Sequence, residues 1–204
     1  MLVTDLSTDN KHVTDLASVG AREALSLNGE WSLVFDPDNC GRAEGWEQSF
    51  PQQNTAIQVP GVWEQVQPGY DGVGWYCRTF ALPTKWEGRL VRVRFHAVQY
   101  YCEVWLNGER LGDHEGGSLP FDFALPESAL KFGRSATNEL ILRVINPPMD
   151  REIEGFRCGS PLNQSNIPVG KAGWYYNFGG IWQDVELIAT DRVTITHAVI
   201  EPWP

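Results

Sequence analysis

Trp174, Tyr175, Tyr176 and Asn177 stand together in the run Gly173-Trp174-Tyr175-Tyr176-Asn177-Phe178-Gly179-Gly180-Ile181-Trp182-Gln183-Asp184-Val185-Glu186-Leu187. An aromatic face covers the apolar C–H patch of a pyranose, and a few fixed polar groups take its hydroxyls, so rings beside an amide are the materials of a sugar site. These four residues are the candidate sugar contacts. The glycine pair welds them onto an alternating apolar and polar stretch, which reads as a strand.

The residues of glycoside-bond cleavage are another matter. That reaction needs two carboxylates flanking the bond, about 5 to 5.5 Å apart in retaining enzymes and farther apart in inverting ones, and paired carboxylates on adjacent elements are not evident. Asn138-Glu139 opens the alternating stretch Leu140 to Ile145 and reads as a solvated strand start. Asp36-Pro37-Asp38-Asn39-Cys40-Gly41, with Glu47 further on, imitates the spacing of a calcium loop, but Cys40 occupies a ligand position and no second helix follows, so a strand-ending loop is expected. The predicted catalytic set, metal set and cofactor set are therefore all empty. Cys40, Cys77, Cys102 and Cys158 have no metal-type spacing and allow three pairings, and Cys77 and Cys102 fall inside strand patterns as buried thiols.

Strands must position the aromatic run. Trp31, Leu33 and Phe35 alternate along one segment; Val91, Val93, Phe95 and Ala97 share a face opposite Arg92, Arg94 and His96; Leu140, Leu142 and Val144 repeat the period. Asn107-Gly108 between Val104-Trp105-Leu106 and Arg110-Leu111 predicts a hairpin, because both central residues of a type I′ turn need positive φ. A short helical turn fits Glu127 to Phe132, and Trp31, Trp63, Trp75 and Trp105 are expected in the core. Many short strands with 20 Gly and 13 Pro predict an all-β sandwich or jelly roll. The connection from Pro147 to Gly173 is longer than compact domains use without a reason, which makes it a functional candidate.

Six stretches carry a family resemblance: Leu27-Asn28-Gly29-Glu30-Trp31, Val59-Pro60-Gly61-Val62-Trp63, Gly74-Trp75-Tyr76-Cys77-Arg78-Thr79-Phe80, Val104-Trp105-Leu106-Asn107-Gly108, His114-Glu115-Gly116-Gly117-Ser118-Leu119-Pro120-Phe121 and the Gly173 to Leu187 run. Present in this order, they resemble the N-terminal sugar-binding domain of family 2 glycoside hydrolases, which include β-galactosidases, β-glucuronidases and β-mannosidases. The resemblance covers about residues 25 to 190. It implies a non-catalytic jelly-roll β-sandwich of the galactose-binding-domain type that edges the cleft of a retaining β-glycosidase, whose catalytic glutamates lie on a separate (β/α)8 barrel. His114, in the family's His-x-Gly-Gly turn, joins the candidate sugar residues on this ground. Two departures separate the chain from well-known members: Gln183 stands where an arginine is usual, and Trp174 where some relatives place an aspartate. Substrate identity therefore does not carry over. The aspartate that serves a sodium site in some β-galactosidases has no counterpart in Gly116-Gly117-Ser118.

A formal charge of −10 repels a phosphate backbone and excludes nucleic acid as a partner. No apolar stretch reaches membrane-spanning length and no secretory leader is evident, so a cytoplasmic location is the default expectation. The expected organisation is an extended lead over 1–24, the jelly roll over 25–191, and over 192–204 a linker or first strand of a following immunoglobulin-like domain. The expected partners are a terminal β-glycoside and the immunoglobulin-like and barrel domains. An unpaired β-branched strand at 193–201 would also pair with a second copy, giving a homo-oligomer. The alternatives are a free-standing carbohydrate-binding module and a structural scaffold.

Overall fold

The computed structural model describes residues 22–148, 150–156 and 177–193. The ten strands are β1 (Glu23–Ser26), β2 (Gly29–Phe35), β3 (Thr55–Val59), β4 (Gly72–Phe80), β5 (Leu90–Phe95), β6 (Tyr101–Leu106), β7 (Glu109–Glu115), β8 (Phe121–Ala124), β9 (Asn138–Asn146) and β10 (Val185–Thr190). They form a four-stranded sheet, β1-β10-β5-β8, and a six-stranded sheet, β3-β2-β4-β9-β6-β7, with antiparallel pairing between the named strands. Together they make a jelly-roll β-sandwich. Three single 3-10 turns, one of them at Glu127–Ala129, are the helical structure among the described residues.

Period-2 alternation decides which side chains fill the space between the sheets. Trp31 and Leu33 of β2, Tyr76 of β4, Cys102, Val104 and Leu106 of β6, and Leu140, Leu142 and Val144 of β9 meet Val91, Val93 and Phe95 of β5 and Val185, Leu187 and Ala189 of β10. Each such side chain removed from water contributes about 1.5–3 kcal/mol. The alternate residues of the six-stranded sheet build a second core on its outer face: Trp75, Cys77, Trp105, Ile141 and Ile145, roofed by Phe50 and Ile153. Trp75 stacks on Trp105 with centroids 5.6 Å apart and meets Trp46 edge-on at 5.9 Å. Trp105 is thus buried, but under loops rather than between the sheets.

The expected hairpin is present, with Asn107 at φ 50 and Gly108 at φ 83 joining β6 to β7. Its asparagine also braces the neighbouring strand, because Asn107 Nδ2 donates to Ala129 O (2.7 Å) and Asn138 Oδ1 (3.1 Å), while Glu139 N donates to Asn107 Oδ1 (2.8 Å). Asn138-Glu139 is therefore part of a turn brace, and Asn138 is fully buried rather than solvated as its sequence position suggested. The Asp36 loop ends β2 by consuming its own carboxylate: Oδ1 accepts from Cys40 N (2.8 Å), and Oδ2 from Gly41 N (2.9 Å) and Trp75 Nε1 (3.0 Å). Cys77 and Cys102 are buried free thiols, and burial pushes Cys77 up to about 12. Among the described residues no helix is long and apolar enough to cross a membrane.

Candidate functional site

One end of the sandwich is organised around residues 177–185, which lead into β10. The turn is held from several sides by stretches far apart in sequence. Gly61 N donates to Ile181 O and Trp63 N to Gly179 O, both at 3.0 Å. Asn28 takes the next residues with its side chain, its Nδ2 donating to Asp184 Oδ1 (2.8 Å) and its Oδ1 accepting from Val185 N (2.9 Å). On the other side Gln99 pairs with Gly180 through both backbone bonds, and Trp182 Nε1 donates to Gly117 O (2.8 Å).

The glycine pair is required by this crowding. A β-carbon on Gly179 would enter the Trp63 indole, and one on Gly180 would meet the Tyr76 hydroxyl at a φ of 110 that side chains rarely adopt. With both rings directly beneath, the turn lies flat on the mouth of the core. Phe178 and Trp182 are half-buried and meet edge to face at 5.5 Å, leaving part of each ring on the surface.

Asn177 sits at the polar side of this mouth. Its Nδ2 donates to Asp71 Oδ1 (2.8 Å) and to Pro147 O (3.0 Å), and Asn146 Nδ2 donates to the same Asp71 oxygen (3.0 Å). Two residues further, Gly179 N donates to Glu64 Oε1 (2.9 Å). Desolvation by burial raises both acids, and for Glu64 the nearby Asp71 charge adds to the rise while the Gly179 amide opposes it. Glu64 Oε2 and Asn146 Oδ1 are buried with no hydrogen-bond partner among the described residues.

Asp71 Oδ1 is committed to two amides, and Glu64 holds a backbone N–H with one oxygen while the other has no access to solvent. They act as struts that fix the turn.

His114 lies elsewhere, on β7, where its ring stacks on Phe121 at 3.9 Å between centroids and 13° between planes. Burial lowers its pKa, with the Gly116 backbone opposing the shift. The ring lies beside Gly116, next to the Gly117 carbonyl that receives the Trp182 indole, and its Nε2 is buried with no hydrogen-bond partner among the described residues. Trp174, Tyr175 and Tyr176 lie outside the described residues, as do Cys158 and all but the first residue of the strand expected over 193–201.

Residues 24–191 match the family model described as glycosyl hydrolases family 2, sugar binding domain. The chain belongs to this family. Similar proteins include a β-glucuronidase from Paenibacillus borealis, 26% identical over 195 residues, and one from Sus scrofa, 36% identical over 210; each alignment covers 88% of this chain and 31% of the relative. A β-galactosidase from Thermoanaerobacter pseudethanolicus is 25% identical over 173 residues, covering 81% of this chain and 21% of the relative. Among solved structures, apo β-glucuronidase from Ruminococcus gnavus superposes with a TM-score of 0.68 at 26% identity, covering 83% of this chain and 29% of that one. The chain spans about a third of the length of the β-glucuronidases it matches.

Of the predicted site residues, the structure of this family 2 sugar-binding domain places Asn177 at the mouth and His114 behind its support. Sequence reasoning missed Asp71, Glu64 and Asn146. Each carried a signal: Asp71 lies in Pro-Gly-Tyr-Asp-Gly just before a strand, Glu64 follows the Val-Pro-Gly-Val-Trp stretch, and Asn146 closes β9 before two prolines. Their convergence depends on β4 and β9 being neighbours, with Gly72 opposite Asn146.

Proposed function

We propose that this chain forms the sugar-facing edge of a β-glycoside-hydrolysing protein, itself supplying no catalytic carboxylate. Asn177, with Trp174, Tyr175 and Tyr176 on the connection before it, contributes contacts to the sugar. An immunoglobulin-like domain and a (β/α)8 barrel supply the rest of the cleft, and the jelly roll proper runs over 25–191. The observation that carries this reading is the mouth itself: Asn28, Gly61, Trp63 and Gly117, drawn from three of the family's other stretches, together with Gln99, all bind the turn that presents Asn177. So many anchors on one short turn indicate that its position matters beyond closing the fold. A likeness to proteins named β-glucuronidase and β-galactosidase supports a terminal β-glycoside as the ligand class.

Titration of the 204-residue chain with methyl β-D-glucuronide and methyl β-D-galactoside tests this, using 1H–15N NMR to see weak binding. Contacts confined to one edge bury little of the ligand, so affinity is expected to be weak and to weaken further in Asn177→Ala. The same chain should hydrolyse no aryl β-glycoside. Turnover that survives repurification and disappears on mutation of Glu64 or Asp71 would overturn the non-catalytic reading, and micromolar affinity would favour a free-standing carbohydrate-binding module.

A further inference from the structure

The outer face of the six-stranded sheet holds a cluster of charges that the site does not use. Arg143 of β9 is fully buried there, directly opposite Glu103 of β6 and Trp75 of β4. Its Nη1 donates to Glu103 Oε2 (3.0 Å) and Glu154 Oε2 (3.2 Å), and its Nη2 to Asn39 Oδ1 (2.6 Å) and Glu154 Oε1 (2.7 Å). Asn39 Nδ2 closes the ring by donating to Glu154 Oε1 (3.0 Å), and Arg42 pairs with Glu103 from above.

Two facts separate this cluster from an ordinary ion pair. Glu154 has a φ of 50, the left-handed region that a long side chain rarely adopts, while Asn39, at φ 53, is of a type that enters it readily, and the two lie on loops 115 positions apart. A strained residue such as Glu154 persists only where surrounding contacts over-determine it, and here one guanidinium contacts both it and Asn39. Second, residues 150–156 are the part of the chain that Arg143 holds through Glu154, and the same segment reaches the mouth. Arg151 Nη2 donates to Asp71 O at 3.3 Å, and Asp71 is the residue that takes the Asn177 amide. Ile153 and Phe156 pin the segment to the outer core, Phe156 stacking on Tyr101 at 4.7 Å.

We infer that Arg143 is a positioning residue for the sugar-facing turn, gripping residues 150–156 from the outer face of the sheet so that Asp71 and Asn177 keep their places at the mouth. The inference rests on the sugar-edge reading. Arg143 touches no ligand; it acts through Glu154, Arg151 and Asp71.

The test uses the 204-residue chain and the variants Arg143→Met, Arg143→Lys and Glu154→Gln, with Leu140→Ala, in the inner core near the far end of β9, as a control matched in stability by adding urea to the stronger proteins. The probes are methyl β-D-glucuronide and methyl β-D-galactoside, with the Asn177 side-chain amide followed by NMR. Glu154→Gln and Arg143→Met should displace that amide signal and weaken glycoside binding severalfold. Arg143→Lys should recover part of both, and Leu140→Ala should change neither. An unmoved Asn177 signal in Glu154→Gln, or an equal change in Leu140→Ala, would overturn the inference, and Glu154→Gln serves if Arg143→Met fails to fold. Asn177→Ala separates the two readings: if glycoside signals do not depend on Asn177 the sugar reading fails, and the amide shift alone then judges the positioning role.

Discussion

Arg143→Met keeps most of the stem volume and removes the charge. Glu103 would remain 4% exposed in its side chain with Arg42 and Arg110 still beside it, while Glu154, 36% exposed, would keep Asn39. Breaking a buried pair costs about 3–5 kcal/mol because the partner is left uncompensated; the surviving partners place this case at the low end, about 3 kcal/mol. For a chain of this size a loss of 1 kcal/mol lowers Tm by about 2–4 °C, so the drop should be about 6–12 °C. A domain stable by about 5–15 kcal/mol would still fold. Urea denaturation should show a lower midpoint with an unchanged slope, since the exposed surface is the same. Adding Glu103→Leu to Arg143→Met should restore much of the loss, because the double variant replaces the stranded buried carboxylate by an apolar group and releases Arg42, 45% exposed, to water. A single-variant loss below about 1 kcal/mol would mean that water replaces the guanidinium at small cost, and failure of the second substitution to recover stability would show that Glu103 is not the stranded charge; either result refutes the reasoning.

Gly179→Ala drives a methyl into the Trp63 indole and should cost about 1–3 kcal/mol by overpacking, read as a fall in Tm with loss of the Trp63 indole N–H signal that now donates to Tyr70 O at 3.0 Å. Glu64→Gln gives a pH-dependent effect. Because burial raises the folded pKa of Glu64, its ionisation destabilises the fold above that pKa and the cost vanishes below the unfolded value near 4.5. The variant should therefore be more stable than the parent at pH 7 and equal to it near pH 4, and a lower Tm at pH 7 would contradict the burial argument. Asn107→Ala takes this partner from Ala129 O and Glu139 N, leaves Asn138 Oδ1 with Lys131 N, and keeps the positive φ, so a loss of about 2 kcal/mol is expected. Asn107→Gly should lose less, because glycine adopts that backbone freely.

The strands were legible because their signal is local. Alternation in Val91–Phe95 and Leu140–Val144, and the Asn107-Gly108 pair, needed no knowledge of neighbours, and their faces and turn appear as the pattern requires. Arg143 shows where that signal ends. It stands between Ile141 and Ile145 on the outward phase of β9, and the loops after β2 and β9 roof that face and bury the charge completely. Asp71, Glu64 and Asn146 each carried a local signal, but their convergence was illegible, because they meet only through strand pairing and the return of residue 177. The six family stretches were legible as an order, and the structure supplies a physical content for it, since three of them hydrogen-bond the sixth.

The unequal width of the two sheets explains why support for the mouth comes from the outer face. A four-stranded sheet covers one side of a six-stranded sheet, which leaves the other side of β4, β9 and β6 with Trp75, Trp105, Ile141 and Ile145 to be removed from water. Loops must do this, and loops can bury an apolar face only if their own polar backbone groups and any charge trapped beneath find partners. Asp36 meets the first demand by capping Cys40 and Gly41, and Arg143 meets the second by collecting Glu103, Asn39 and Glu154. The chain that leaves β9 is thereby committed to cross the outer face before it returns to Asn177. On the proposed reading, two problems, covering an exposed sheet and holding the turn at the mouth, are met by one segment. A change that loosens the cover should therefore be felt at the mouth even though the inner core stays intact, whereas a cavity in the inner core, as in Leu140→Ala, should lower stability and leave the turn in place.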